Sequence, residues 1–297
     1  MRNFSESIFQ CIPLRYTQQI MYYLTECPRD AIQGIKQFIP TEKKIAYLNL
    51  LLKLGFDRLD FGSFVSSKAI PQLADTEDVL LSLDSSNSAL LAIVANEKGA
   101  INACSHQRIS FVGYPFSVSN TFQIRNTGKT IDESWSVFRS ISNVVQNENK
   151  SLVVYLSMAF GNPYEEDYNT GIISSIVDKI LEINNNVEFM LSDTIGSSNT
   201  TSIKELFTYF QKEYPQLKWG LHLHSTPNEA ASKITAAKEI GCTRFDSAFG
   251  GLGGCPMAKD DLTGNIPTEL VLEILEIDNI NFKEEIPIIQ NFINSLK

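Results

Sequence analysis

Residues 151–192, SLVVYLSMAFGNPYEEDYNTGIISSIVDKILEINNNVEFMLS, contain the repeating unit from which the fold can be predicted. The stretch opens with a short apolar run at 151–158 and closes with another at 187–192, both of a length typical of buried strands. Between them, residues 170–183 repeat apolar side chains at helical spacing. A strand, a helix and a second strand in this order predict two parallel strands joined by a crossover helix.

The same alternation continues on both sides of this unit. Runs typical of strands lie at 21–26, 56–61, 88–95, 108–113, 151–158, 187–192, 217–224 and 242–247. Helical patterns lie at 40–55, 68–83, 98–105, 131–147, 170–183, 200–214, 226–241 and 267–276, with a last helix at 284–296. Eight strand–helix pairs predict an α/β fold, a (β/α)8 TIM barrel with an extra C-terminal helix. An open doubly wound sheet is less consistent, because no glycine-rich nucleotide loop follows the first strand.

Composition predicts one globular domain and limits its partners. The 297 residues show no linker, so we expect a single domain over 1–297, with the barrel at about 20–276 and a C-terminal helical segment at about 280–297. The net charge of −9 disfavours nucleic acid as a partner. No apolar run reaches the ~20 residues of a membrane span, and the N-terminus does not resemble a signal peptide. Five scattered cysteines without a CxxC pair indicate reduced thiols and a cytoplasmic location.

Polar side chains follow several strands, where the active site of a TIM barrel lies. Arg29 and Asp30 follow the first strand, and the stretch GLHLHS at 220–225 ends the seventh. In a strand His222 and His224 point to the same face, so both can meet Asp30, with Asn265 in reach from the last loop. Such a nitrogen and oxygen set suits Mg²⁺ or Mn²⁺ best, and Zn²⁺ or Co²⁺ is also compatible. The alternative is one packed and one exposed histidine without a metal.

Five segments together resemble a known family. They are CPRDAIQ, GSFVSSKAIPQLADTEDVL, SDTIGS, HLHSTPNEA and FDSAFGGLGGCPMAKDDLTGNIPTE, and they resemble the 3-hydroxy-3-methylglutaryl-CoA lyases of the DRE-TIM metallolyase superfamily. The resemblance covers about residues 20–276, and GGLGGCP followed by TGN is its most specific part. It implies a divalent-metal-dependent lyase that cleaves 3-hydroxy-3-methylglutaryl-CoA to acetyl-CoA and acetoacetate by a retro-Claisen reaction. It also implies a small-molecule acyl-CoA as substrate, a homodimer, and a place in leucine catabolism.

The resemblance also assigns roles to individual residues. Its metal ligands correspond to Asp30, His222, His224 and Asn265. Its catalytic residues correspond to Arg29, which stabilises the enolate, to Asp30 or His222 as base, to Asp60, and to Cys255 as the acid of the glycine loop. Its substrate-binding residues correspond to Gln33, Ser119 and Asp193.

The chain departs from the family at several loops. Asp60 replaces the glutamate of the Asp-Arg-Glu set, so it is expected to reach its partner through a water or to serve another substrate. Asn120 replaces a usual glutamate, and Asn162 lies in a loop where the lyases often carry cysteines. These departures keep an alternative open, namely a related DRE-TIM aldolase or Claisen condensing enzyme acting on a different acyl-CoA or 2-oxo acid. Candidate contacts for a CoA tail are Lys68, Arg125 and Lys259.

Overall fold

Eight parallel strands close into a barrel in the computed structural model, which describes residues 20–254, 263–278, 280 and 284–295. The strands are β1 (Tyr23–Glu26), β2 (Arg58–Ser63), β3 (Ala89–Ile93), β4 (Ile109–Ser117), β5 (Ser151–Ser157), β6 (Val187–Asp193), β7 (Lys218–Ser225) and β8 (Arg244–Ser247). Each pairs with its neighbours in the chain, and β1 pairs with β8 to close the ring. The predicted TIM barrel with a C-terminal helix is therefore confirmed.

Helices surround the barrel and connect its strands. They are α1 (Pro28–Gln33), α2 (Thr41–Leu54), α3 (Thr76–Ser82), α4 (Glu97–Cys104), α5 (Asn120–Thr127), α6 (Ile131–Asn147), α7 (Thr170–Ile183), α8 (Thr200–Glu213), α9 (Pro227–Glu239), α10 (Thr268–Leu275) and α11 (Ile286–Asn294). A two-residue strand, β9 (Gly264–Asn265), pairs antiparallel with β7. No helix in the described part of the chain combines the length and apolarity needed to cross a bilayer.

Local sequence explains why the best-predicted helices begin and end where they do. Helix α6 matches the predicted 131–147, because Thr130 and Glu133 form a reciprocal capping box at its start. Its buried residues, among them Phe138 and Ile141, recur at helical spacing and face the strands. Helix α7 likewise matches the predicted 170–183.

The segment between the fourth strand and α6 differs from the prediction. The sequence predicts neither strand nor helix between 113 and 131, yet β4 continues to Ser117 and α5 follows it. The Ser119 hydroxyl accepts a hydrogen bond from the Phe122 N–H at the start of α5, and Gly128, at φ +71°, ends the helix in the left-handed conformation. Helix α1 was also missed, since six residues are too few to show a helical period.

Apolar side chains fill both sides of the strands. The larger cluster lies between the strands and the outer helices, and the smaller lies inside the barrel. The inner cluster comprises Leu91, Ile93, Val153, Tyr155 and Met190. Because side chains alternate along each strand, polar residues at the ends of the strands lie above and below this apolar layer.

A charged cluster lies below the inner layer, at the amino ends of the strands. We call Arg58, Glu188, Lys218 and Arg244 the floor cluster. Arg58 is 1% exposed and donates from Nη2 to Glu188 Oε2 at 2.6 Å. Lys218 Nζ and Arg244 Nη1 lie 3.1 and 3.4 Å from the same carboxylate. Burial raises the pKa of Glu188, but the neighbouring arginines outweigh it and the net pKa is lowered. The carboxylate is therefore ionised and fully paired.

The C-terminal helix packs beside the loop that follows β8. Ile289 and Ile293 of α11 are buried, and the Phe292 ring stacks on Tyr47 with centroids 4.0 Å apart. A Cβ at Gly250 would lie 3.0 Å from Ile293 Cδ1. Helix α11 therefore supports the start of the glycine-rich loop.

Candidate active site

Arg29 lies at the centre of a buried hydrogen-bond network on α1. Its Nε donates to Asp60 Oδ2 at 3.0 Å and its Nη2 to the same oxygen at 2.5 Å. Its Nη1 donates to Asp30 Oδ1 at 2.9 Å and to Gln33 Oε1 at 3.0 Å. A guanidinium has five N–H donors, so among the described residues one N–H on Nη2 has no partner and can serve a ligand. Asp60 thus contacts Arg29 directly, and the shorter acid needs no bridging water.

The charges of this network are strongly coupled. Burial raises the pKa of Asp30, but Arg29 outweighs burial and the net pKa is far below the usual range. Burial also raises the pKa of Asp60, which stays at about 6 in spite of Arg29, because Asp30 and Asp246 add negative charge nearby. The net pKa of Arg29 is raised: burial lowers it, but the two carboxylates outweigh burial. Arg29 and Asp30 are therefore ionised, and Asp60 titrates closest to neutrality.

The alternation predicted for β7 brings both imidazoles inside the barrel. His222 is 7% exposed and His224 3% exposed, whereas Leu221 and Leu223 pack into the outer core. His222 Nδ1 lies 3.2 Å from Asp246 Oδ2, and His224 Nδ1 lies 3.0 Å from a backbone carbonyl oxygen. Both Nδ1 atoms are thus occupied, so each Nε2 is left for a ligand. A partner on the far ring nitrogen is the usual way to orient a metal-binding histidine.

Asn265 completes the set of predicted ligands. Strand β9 places Asn265 opposite His224, and the Asn265 amide nitrogen donates to Asp30 Oδ2 at 2.7 Å. His224 Nε2 lies 3.7 Å from the same Asp30 oxygen. Within the described residues, His224 Nε2 and Asn265 Oδ1 are buried without a hydrogen-bond partner. Unpaired polar atoms of this kind are costly unless a ligand satisfies them, which fits a cation site.

The distances agree with a cation site. Ligand atoms of Asp30, His222 and His224 lie within 4.8 Å of one another, and all three residues are buried. Carboxylate and amide oxygens with imidazole nitrogens suit a divalent cation. Asp30, His222 and His224 are therefore brought together, and Asn265 contacts Asp30. This donor set fits a divalent cation, and the role of the four residues as its ligands stays a prediction.

A second layer of residues beneath His222 was not assigned from the sequence. Asp246 on β8 orients the imidazole through its Oδ2, and its Oδ1 is buried without a partner in the described structure. The net pKa of His222 is raised: burial lowers it, but the hydrogen bond and charge of Asp246 outweigh burial. Burial, followed by the charges of Asp246, Asp60 and Asp30, raises the pKa of the Cys27 thiol, which stays neutral.

These groups face a cavity of about 310 Å³ at the carboxyl ends of the strands. Arg29, Asp30, Gln33, His222 and His224 all line it. So does Tyr155, whose ring centroid lies 5.6 Å from that of His222 and whose hydroxyl is buried without a partner among the described residues. The sequence missed Tyr155, because its strand reads as continuously apolar and the inward face depends on register. Burial, followed by the charges of Asp246 and Asp60, raises the Tyr155 pKa well above its ordinary value, so the hydroxyl stays protonated.

Two predicted substrate-binding residues do not line the cavity. The Ser119 hydroxyl caps α5 and is 1% exposed. The Asp193 carboxylate accepts from Lys233 Nζ at 3.1 Å and from the Ser198 hydroxyl at 2.5 Å. In this structure both residues hold loops in place, so their contact with substrate stays a prediction. Cys255 and Lys259 lie outside the described residues.

Glu166 supplies a carboxylate to the start of α5. Its Oε1 accepts from the Thr121 N–H at 2.9 Å and from the Thr121 hydroxyl at 2.6 Å, and its Oε2 accepts from Ser119. Asn162 folds the loop that brings it there, since its Oδ1 accepts from the Tyr164 and Glu166 N–H groups. A carboxylate therefore caps α5 from a different loop.

A parallel barrel with a buried arginine, paired imidazoles and carboxylates at the carboxyl ends of its strands is a TIM-barrel enzyme with a candidate cation site. The family model described as HMGL-like matches residues 21–291, and the chain belongs to that family and so to the carbon–carbon lyases. It is 33% identical over 250 residues to a hydroxymethylglutaryl-CoA lyase of Bacillus subtilis, covering 84% of this chain and 83% of the relative.

A further relative and a solved structure are also hydroxymethylglutaryl-CoA lyases. A mitochondrial hydroxymethylglutaryl-CoA lyase of Mus musculus is 31% identical over 251 residues, which are 84% of this chain and 76% of the relative. The fold matches an HMG-CoA lyase of Acinetobacter baumannii, solved with coenzyme A and 3-methylmalate. That match has a TM-score of 0.86 and 30% identity, and it covers 94% of this chain and 92% of the other.

Proposed function

We propose that this protein cleaves 3-hydroxy-3-methylglutaryl-CoA into acetyl-CoA and acetoacetate with the help of a divalent cation. The observation that carries the proposal is the convergence of the available Arg29 N–H with Asp30, His222 and His224 on one cavity. The names of the relatives in the same family support the substrate.

The residues around the cavity match the charge changes of this reaction. The bond between C2 and C3 breaks when the C3 hydroxyl loses its proton, which leaves a ketone on C3 and an enolate on C2. His222 is suited to take the proton only where its Nε2 does not hold the cation, because Nδ1 faces Asp246, which would stabilise the imidazolium. Where His222 holds the cation, Asp30 is the base. Arg29 can then donate its available N–H to the enolate oxygen, with its orientation fixed by Asp60. Protonation of the enolate carbon by Cys255 stays a prediction.

Asp30, His222, His224 and Asn265 would hold the cation, for which Mg²⁺ or Mn²⁺ is proposed. When bound, it would polarise the C3 hydroxyl and lower its pKa. A CoA tail would leave the cavity past Lys129, which is exposed and lines the wall. Lys68 and Arg125, proposed for the same role from the sequence, are not part of that wall.

The test is turnover of 3-hydroxy-3-methylglutaryl-CoA by the purified protein with Mn²⁺ or Mg²⁺, and then with a chelator. We expect metal-dependent release of acetoacetate. Arg29→Gln should lower kcat by about a hundredfold or more, because the enolate loses its charged donor. It should also lower the melting temperature, because the buried Asp60 loses its cationic partner. Arg139→Gln, an exposed arginine on α6, is the control and should keep full activity. A protein that binds Mn²⁺ yet releases no acetoacetate would overturn the substrate and favour another acyl-CoA or a 2-oxo acid.

We also propose a cytoplasmic homodimer that acts in leucine catabolism. Cys27, Cys104 and Cys242 are buried free thiols, as expected in a reducing compartment. Sedimentation analysis of the purified chain tests the dimer.

A further inference from the structure

Lys233 on α9 is a charged side chain buried on the outer side of the barrel. It is 1% exposed. Its Nζ donates to Asp193 Oδ2 at 3.1 Å, to the Gly196 carbonyl oxygen at 3.0 Å and to the His224 carbonyl oxygen at 2.9 Å. Removing an ammonium group from water is costly, so all three donors must be used. The three acceptors hold the side chain in one position.

Two of these acceptors begin and end one turn, the segment 193–196. Gly196 donates its N–H to the Asp193 carbonyl oxygen at 3.2 Å and has φ +71°. A Cβ at Gly196 would lie 2.6 Å from Thr263 Cγ2, so the turn packs against the residue that leads into β9 and Asn265. Lys233 thus fixes the position of the turn from outside the barrel.

This turn also orients His224, a candidate metal ligand. Thr194 lies inside it, and its carbonyl oxygen lies 3.0 Å from His224 Nδ1. A carbonyl oxygen can only accept, so Nδ1 carries the proton and Nε2 has its lone pair toward Asp30, 3.7 Å away. Lys233 also holds the His224 backbone directly, through the carbonyl oxygen.

We propose that Lys233 is a positioning residue of the cation site, which fixes the tautomer and the place of His224 by holding the turn 193–196 and the end of β7. The claim that Lys233 supports the cation site rests on the proposed function. The claim that Lys233 fixes the tautomer of His224 does not. Lys233 does not line the cavity, so it acts through His224 and not on the substrate. Loss of a residue that supports a metal-binding histidine typically weakens metal binding by about 10- to 100-fold.

The test compares Lys233→Met, the double variant Lys233→Met/Asp193→Asn, and the control Lys238→Met. The single variant leaves the buried Asp193 carboxylate without its cationic partner, with only neutral donors such as Ser198 left to it, and can fail to fold. The double variant removes that charge, and the amide oxygen of the introduced asparagine can still accept from Ser198. Lys238 lies on the same helix and contacts Glu276 at 3.0 Å and the Ile274 carbonyl oxygen at 2.7 Å, far from the site.

Two readouts decide the outcome. Mn²⁺ titration should give a Kd for the double variant about tenfold or more above wild type, with the control within twofold. In the metal-free protein, ¹⁵N shifts of the His224 ring should show a protonated Nδ1 in wild type and a mixture of tautomers in the double variant. A folded double variant with both the wild-type Kd and the wild-type tautomer would overturn the proposal. If wild type binds no Mn²⁺, the proposed cation site is wrong, and the tautomer alone decides the role of Lys233.

Discussion

Replacing Glu26 by glutamine should stabilise the protein, and more so as the pH rises. Glu26 ends β1 and is fully buried. Its Oε1 accepts from the Phe249 N–H at 3.0 Å, and its Oε2 accepts from the Thr268 hydroxyl, whose oxygen also lies 2.9 Å from Ser247 Oγ. A glutamine can accept from Phe249 and donate to Thr268, so the substitution keeps both contacts and removes a charge.

The magnitude follows from two pKa values. Burial raises the pKa of Glu26 from 4.5 to about 8, although the hydrogen bonds from Thr268 and Phe249 oppose the rise. Between these two values the unfolded chain has lost its proton and the folded chain keeps it, so the folded state binds more protons. The free energy of unfolding of wild type then falls by ~1.4 kcal/mol per pH unit as the pH rises, and the fall ends above pH 8. The total decrease is on the order of 5 kcal/mol.

The assay is urea unfolding of wild type and Glu26→Gln at pH 5, 6.5, 8 and 9. The variant should be nearly as stable as wild type at pH 5 and more stable by about 3 to 5 kcal/mol at pH 8 to 9. Glu273→Gln, at an exposed position of α10, serves as the control and should show no such trend. If the difference in free energy of unfolding between the two proteins were constant with pH, or if the variant were less stable at pH 9, the Glu26 carboxyl would not be buried in its neutral form.

Two further predictions concern the cation site and the floor cluster. His224→Ala should lower the Mn²⁺ occupancy, measured by elemental analysis, at least tenfold, because it removes an Nε2 ligand atom. His106→Ala is the control and should keep the occupancy. Equal occupancy in the two variants would show that His224 is not a ligand. Arg58→Met should lower the free energy of unfolding by about 3 kcal/mol, because Glu188 loses its closest partner. Adding Glu188→Gln should restore most of the loss, and no recovery would contradict the charge argument. Since the Glu188 pKa is lowered in the fold, its contribution is present above pH 4.5 and is lost as the pH falls below that value.

The barrel could be predicted because apolar residues recur along each strand and helix at the spacing typical of that element. The HLH alternation on β7 required nothing beyond strand geometry, and the structure confirms that both histidines face inward. Asn265 was placed beside Asp30 from its position in the loop after the eighth strand and by the family resemblance, although the two-residue β9 has no period to detect.

Residues whose role depends on register or on distant partners were missed. Tyr155 and Asp246 face His222 only because the strands meet at particular offsets, which sequence alone does not give. The sequence around Lys233 is that of an ordinary polar position of a helix, and its burial depends on how α9 packs against β7 and brings the side chain to Asp193 at the end of β6. Ser119 and Asp193 were assigned to substrate because they match family positions, yet their side chains are used by neighbouring loops.

Glu166 has a consequence for protein engineering. Its carboxylate lies on the loop after β5, yet it accepts hydrogen bonds from Thr121 and Ser119 at the start of α5. A chimera that exchanges only the loop after β5 would therefore remove an acid from the cap of a helix that lies outside the exchanged segment. Loop grafts into this chain should exchange the loop after β5 and the start of α5 together.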